Sequence, residues 1–148
     1  MGGFTRPFEI IDISGDAGVK AYGMTLEDAF QNAALGMYSL ITDTEGIREA
    51  DKINVEVAGY STEGLLVAWL NELIFQFDAY GFIGRRIELL ALKTAMRDDK
   101  PYIKAKVYGE EFDIGRHERR LLLKAATYHK LKIEKIGGMW QADIIFDI

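Results

Sequence analysis

Carboxylates are the side chains of this chain that come nearest, by type and placement, to forming a site. Asp16 lies in Gly15-Asp16-Ala17-Gly18, where glycine neighbours would present a carboxylate without steric cover. Asp147 stands one residue before the end of the 148-residue sequence, and Ile148 adds a main-chain carboxylate. A strand ending at the domain rim would carry these oxygens beside another acidic loop. Such a cluster suits a hard cation, calcium or magnesium, rather than zinc. On spacing alone, a solvated turn aspartate and a frayed C-terminus explain the same residues more readily.

Other chemistries find less material. The two histidines, His117 and His129, have no nucleophile arranged around them, and an isolated histidine is more often a surface or satisfied polar residue. The absence of cysteine excludes disulfides, thiolate metal sites and a cysteine nucleophile. Gly15-Asp16-Ala17-Gly18 lacks the lysine and hydroxyl residue of a phosphate-binding P-loop. Basic residues gather at Arg85-Arg86 and at Arg116-His117 with Arg119-Arg120; these could meet phosphates or an acidic partner, though such pairs more often solvate a surface.

The elements that must position these groups follow from periodicity. Residues 8–14 read as a short β-rich strand, 15–18 as a tight turn and 19–22 as a returning strand stopped by Gly23. Thr25 caps a helix reaching about Ile41, with Leu26, Ala29, Phe30, Ala33, Met37 and Leu40 on one face. Ile53, Val55 and Val57 alternate with polar or small residues in a strand. Ser61 or Thr62 then caps a second, more apolar helix that stops at Gly81 and should lie across a sheet. Strands are expected over 82–95 and 102–108, with a turn at Asp98-Asp99-Lys100-Pro101 between them. The segment 121–128 leans towards strand, Leu131 and Ile133 lie in another, and 140–148 forms the last after a turn at Gly137-Gly138. No repeat or linker divides the chain. The expectation is one α+β domain over 1–148, a sandwich of mostly antiparallel sheet with two main helices and a flexible tail over 1–6.

Composition bounds the partners. The net charge is −5, which disfavours tight direct RNA binding, so any RNA is expected to be held by another protein. The opening residues lack a basic start and an apolar run, and no stretch reaches the ~20 apolar residues of a membrane span. A soluble, cytoplasmic protein is the default.

Several segments together resemble the archease family. Ile13-Ser14-Gly15-Asp16-Ala17-Gly18 is similar to the family's His-Thr-Ala-Asp-Val-Gly segment, and Thr25-Leu26-Glu27-Asp28-Ala29-Phe30 to its first helix start. Leu65-Leu66-Val67-Ala68-Trp69-Leu70-Asn71-Glu72-Leu73-Ile74 resembles its second helix. Tyr108-Gly109-Glu110, Lys124-Ala125-Ala126-Thr127-Tyr128-His129 and Phe146-Asp147-Ile148 follow in the family's order. The resemblance implies a compact α+β fold and a non-catalytic role: assisting a GTP-dependent RNA ligase of the RtcB type, in tRNA splicing and RNA repair, by promoting its guanylylation and turnover. It also implies metal ligation by Asp16, Asp147 and the Ile148 carboxylate. Lys124 and His129 become candidate partner contacts; Lys124 reads equally as an edge charge. The family's motif histidine is Ile13 here and its Thr-Ala is Ser14-Gly15, so no role requiring an imidazole at that position operates in this chain. Two rival functions stand beside this one: a metal-dependent phosphohydrolase, and a chaperone or modulator of another tRNA-processing enzyme such as a methyltransferase.

Overall fold

The computed structural model describes residues 6–94 and 100–148. Its elements run β1 (Phe8–Ile13), β2 (Asp16–Gly23), α1 (Leu26–Ile41), a 3-10 turn (Thr44–Gly46), β3 (Asp51–Ala58), α2 (Thr62–Tyr80), β4 (Phe82–Lys93), β5 (Tyr102–Glu111), β6 (Ala125–Ile136) and β7 (Met139–Asp147). The strands form two antiparallel sheets, ordered β1-β2-β7-β6 and β3-β5-β4. This is the α+β sandwich expected from the sequence.

Both helices lie between the sheets. α1 rests on β1, β2 and β7 of the first sheet and on β4 of the second, while α2 meets β6 on one side and β3, β4 and β5 on the other. Burial therefore spreads around each helix rather than along one stripe. In α1 it takes in Ala29, Phe30, Ala33, Ala34, Gly36, Met37, Tyr38, Leu40 and Ile41. Small residues allow the close approach to β2: a Cβ on Gly36 would sit 2.6 Å from Cγ1 of Val19. Trp69 of α2 donates its indole N–H to the Phe30 carbonyl at 3.0 Å, tying the helices together inside the core.

The helix boundaries follow local chemistry. The Thr25 hydroxyl accepts the Asp28 N–H, the Ser61 hydroxyl accepts the Gly64 N–H, and Gly81 closes α2 at φ 71°. Several expected boundaries move. The first turn is Ser14-Gly15 rather than 15–18, because Ile13 pairs with Asp16 and only Gly15 takes a positive φ, 80°. Asp16 thus starts β2, and Gly18 is a strand residue. β5 runs on to Glu111, since its pairing with β4 continues through Glu110 and Glu111. Of 121–128, only 125–128 is strand; 121–124 is irregular, its backbone bonding to the end of α1 and to Asp147. Ala95, Asp98 and Asp99, which belong to the expected strand end and turn after β4, lie outside the described residues, as do residues 1–5 of the expected tail.

Candidate functional site

Asp16 and Asp147, from opposite ends of the chain, meet at one tip of the β1-β2-β7-β6 sheet. The antiparallel register pairs Ala17 with Phe146, so the next position outward sets Asp16 opposite Asp147. Strand alternation fixes the face. Val19 and Ile144 point into the core, whereas Asp16 and Asp147 share the parity of Lys20 and Asp143 and project to the outer side, which neither helix covers. Asp16 is half-buried and Asp147 exposed. Neither carboxylate has a side-chain ion-pair partner among the described residues.

Four segments build the tip. The Ser14-Gly15 turn delivers Asp16, and β7 ends at Asp147. The Lys124 N–H donates to the Asp147 carbonyl at 2.8 Å, placing Lys124 beside the tip with its side chain exposed. Ile13, standing where a histidine was expected from the family pattern, is cross-strand neighbour to Asp16. Its aliphatic side chain reaches towards Gly18, where a Cβ would sit 3.4 Å from Cδ1 of Ile13.

Asn71 is a positioning residue that sequence reasoning missed. Its amide oxygen accepts the Ala126 N–H at 2.7 Å and its nitrogen donates to the Ala126 carbonyl at 3.3 Å. From α2 it thus clamps edge strand β6 where that strand enters the tip. The available signal was the Asn71-Glu72 pair interrupting the apolar run between Leu70 and Leu73.

His129 falls elsewhere. β6 pairs regularly at Ala125–Thr127, then carries a bulge before Lys132 in which Lys130 adopts φ 53°. His129 lies exposed in that bulge, four residues along β6 from Ala125. Lys124 and His129 are thus presented from different parts of the β6 edge.

His117 and the arginines serve a second carboxylate, Glu110. Its carboxylate accepts the Arg48 N–H at 2.7 Å, bonds Arg116, and meets Nε2 of His117 at 2.9 Å. Nδ1 of His117 accepts the Asp113 N–H at 2.8 Å, so Nε2 carries the proton and donates to Glu110. The Arg116 guanidinium, with help from the Arg48 N–H and His117, lowers the Glu110 pKa to about 2 against the opposing effect of burial. Nearby arginines satisfy carbonyls and carboxylates of the chain itself. Arg120 donates to the Ser39 carbonyl, and the N–H groups of Arg120 and Leu121 bond to Ile41 and Leu40, so residues 120–121 cap the C-terminus of α1. Arg85 bonds the Thr44 carbonyl, Arg116 also bonds that of Gly46, and Arg86 pairs with Glu49 at 2.8 Å. Of the 116–120 basic run, Arg119 alone makes no ion pair or hydrogen bond among the described residues.

As a cation site the tip is sparse. Among the described residues no group of three or more His, Cys, Asp or Glu side chains converges. Asp16 and Asp147 supply two carboxylates on one sheet face, an oxygen-only donor pair whose chemistry suits calcium, magnesium or manganese better than zinc. No helix among the described residues is long and apolar enough to cross a membrane.

The fold is a single α+β domain with two helices held between antiparallel sheets. The profile of the archease protein family (MTH1598/TM1083) matches residues 8–148. The chain is 34% identical over 144 residues to protein archease of Sulfurisphaera tokodaii and 35% identical over 144 residues to that of Pyrococcus furiosus, in each case covering 97% of this chain and 99% of the relative. The solution structure of Methanobacterium thermoautotrophicum protein 1598 superposes with a TM-score of 0.79 at 36% identity, covering 96% of this chain and 99% of the other. The crystal structure of an archease and possible chaperone from Thermotoga maritima shares the fold, with a TM-score of 0.61 at 18% identity and both chains fully covered. The chain belongs to the archease family.

Proposed function

We propose that this archease is a non-catalytic activator of a GTP-dependent RNA ligase of the RtcB type, and that the Asp16–Asp147 tip is the part that acts on the ligase. The observation that carries the reading is the cross-strand placement, on an open sheet face, of two carboxylates with no ion-pair partner among the described residues. A protein gains nothing in stability from setting like charges opposite each other. The arrangement makes sense if a cation or a cationic group of the partner occupies the tip in the working complex.

Asp16 and Asp147 would hold a hard divalent cation, calcium first, with the Ile148 carboxylate as a third donor and Lys124 adjoining. A bound cation would supply positive charge to orient phosphate oxygens or to reset a metal-bound state of the ligase. The chain's own contribution is geometric: β2 and β7 fix the spacing of the donors, and Asn71 holds the β6 edge beside them. Ile13 supplies no proton-transfer group, so the activation expected here needs no imidazole at that position.

The test is ligase guanylylation and RNA joining under multiple turnover, with and without this protein, using the ligase of the same organism. A rate gain that falls at least tenfold in Asp16→Ala and in Asp147→Ala is expected. Equal activation by both variants sinks the proposed role of the tip. Absence of any gain with the wild-type chain sinks the ligase reading, and turnover of phosphate esters by this chain alone would favour a hydrolase.

A further inference from the structure

Residues 112–124 join β5 to β6 without regular secondary structure, yet the segment is firmly placed. Glu110, Arg116 and His117 anchor its first half, Phe112 stacks on His117 with centroids 5.2 Å apart, and residues 120–121 bond to the end of α1. Long irregular connections held in one shape are commonly binding elements. This one covers an apolar cleft of about 330 Å³ whose floor includes Ile41, Phe77 and Phe112. Ile114 and Leu122 stand at its mouth, 65% and 59% exposed, and Arg119 completes the lining.

The arrangement has an unusual charge balance. The neighbouring Arg116 and Arg120 are committed to Glu110, Glu118 and backbone carbonyls, but Arg119 has no partner among the described residues. A guanidinium without a counter-charge beside exposed aliphatic side chains is complementary to an apolar group with a carboxylate next to it. One cation over an apolar floor, on a chain of net charge −5, does not suit a nucleic-acid backbone, which requires several cations. The cleft also adjoins the tip along the chain: Leu122 precedes Lys124 by two residues, and Lys124 bonds the Asp147 carbonyl.

We infer that this cleft is a docking site for a peptide segment of the protein that the archease activates, with an apolar side chain of that segment entering between Ile114 and Leu122 and an adjacent carboxylate pairing with Arg119. The inference rests on the activator reading above. It divides the work between two neighbouring places: the cleft supplies affinity, and the acidic tip supplies the effect on the ligase.

The experiment measures the affinity of the RtcB-type ligase for wild-type protein, Leu122→Asp, Ile114→Asp, Arg119→Glu and Asp16→Ala by calorimetry, alongside multiple-turnover activation. Because Leu122 and Ile114 are exposed, these variants are expected to melt as the wild type does; Leu122→Ala serves as a milder second probe of the same contact. The expected result is a loss of affinity of at least tenfold in Leu122→Asp and Arg119→Glu, with activation restored at high protein concentration. Asp16→Ala should bind within threefold of wild type yet fail to activate. Wild-type affinity in Leu122→Asp, Ile114→Asp and Arg119→Glu, with activation by the wild type intact, overturns the docking site alone. Loss confined to Arg119→Glu indicates a phosphate contact and overturns the peptide. A wild-type chain that neither binds nor activates the ligase overturns the activator reading and the docking site with it.

Discussion

Two carboxylate sites in this protein sit in opposite circumstances. Glu110, 8% exposed, receives three partners: the Arg48 N–H, the Arg116 guanidinium and the Nε2–H of His117. Asp16 and Asp147 lie at a sheet tip, opposite each other, with no cationic side chain bonded to either among the described residues. The first site ties the connection after β5 to the segment before β3, and its charge is neutralised within the fold. The second joins the fold through its backbone, while its carboxylates make no ion pair among the described residues. A carboxylate satisfied inside the fold is architecture; under the proposed function the pair on the open face is where a ligand or partner binds.

This contrast can be broken most sharply by removing Glu110. Glu110→Ala leaves a buried imidazole N–H and a backbone N–H without acceptors and a guanidinium without its counter-ion. Urea unfolding should show a loss of about 2–3 kcal/mol. A loss under 0.5 kcal/mol would mean that the Glu110 cluster is not structural.

Acid gives the next effect. The folded-state pKa of Glu110 is lowered from 4.5 to about 2. Its contribution to stability is therefore complete above about pH 4.5 and lost as the pH falls from there towards 2. The wild type should lose stability relative to Glu110→Gln across that window, and denaturant midpoints at pH 5 and pH 3 measure it. A constant difference between the two proteins contradicts the charge role.

The smallest effect belongs to the tip. Asp147→Asn relieves like-charge opposition and should leave unfolding free energy unchanged or raise it by less than about 1 kcal/mol. Added calcium should raise the melting temperature of the wild type and not that of Asp147→Asn. A loss of 2 kcal/mol in that variant without metal would make the tip structural, and the contrast with Glu110 would collapse.

Local chemistry was enough to read much of the architecture from the chain. Thr25, Ser61 and Gly81 mark helix ends because caps act within a few residues, and the alternation of Ile53, Val55 and Val57 shows a strand because a pleat exposes one face. Asp16, Asp147 and Ile148 stood out by residue type and by resemblance to the archease pattern. Their meeting was not legible from spacing, because β2 and β7 pair across nearly the whole chain. The turn was displaced because either Gly15 or Gly18 could have served it, and only the Ile13–Asp16 register chooses Gly15.

What the sequence determined on its own is the two helices, most of the strands and the family, since each depends on residue type or near-neighbour spacing; the two strands expected at 121–128 and around Leu131 are one, β6 (Ala125–Ile136). The tertiary structure alone decided what the charges face. It turned Arg85, Arg116 and Arg120 towards backbone carbonyls, gave Glu110 to His117, and left Arg119, Asp16 and Asp147 without an ion pair among the described residues. Electrostatic roles depend on distances and burial set by packing between segments remote in sequence. A charge written in the chain acquires its purpose only once those neighbours are in place.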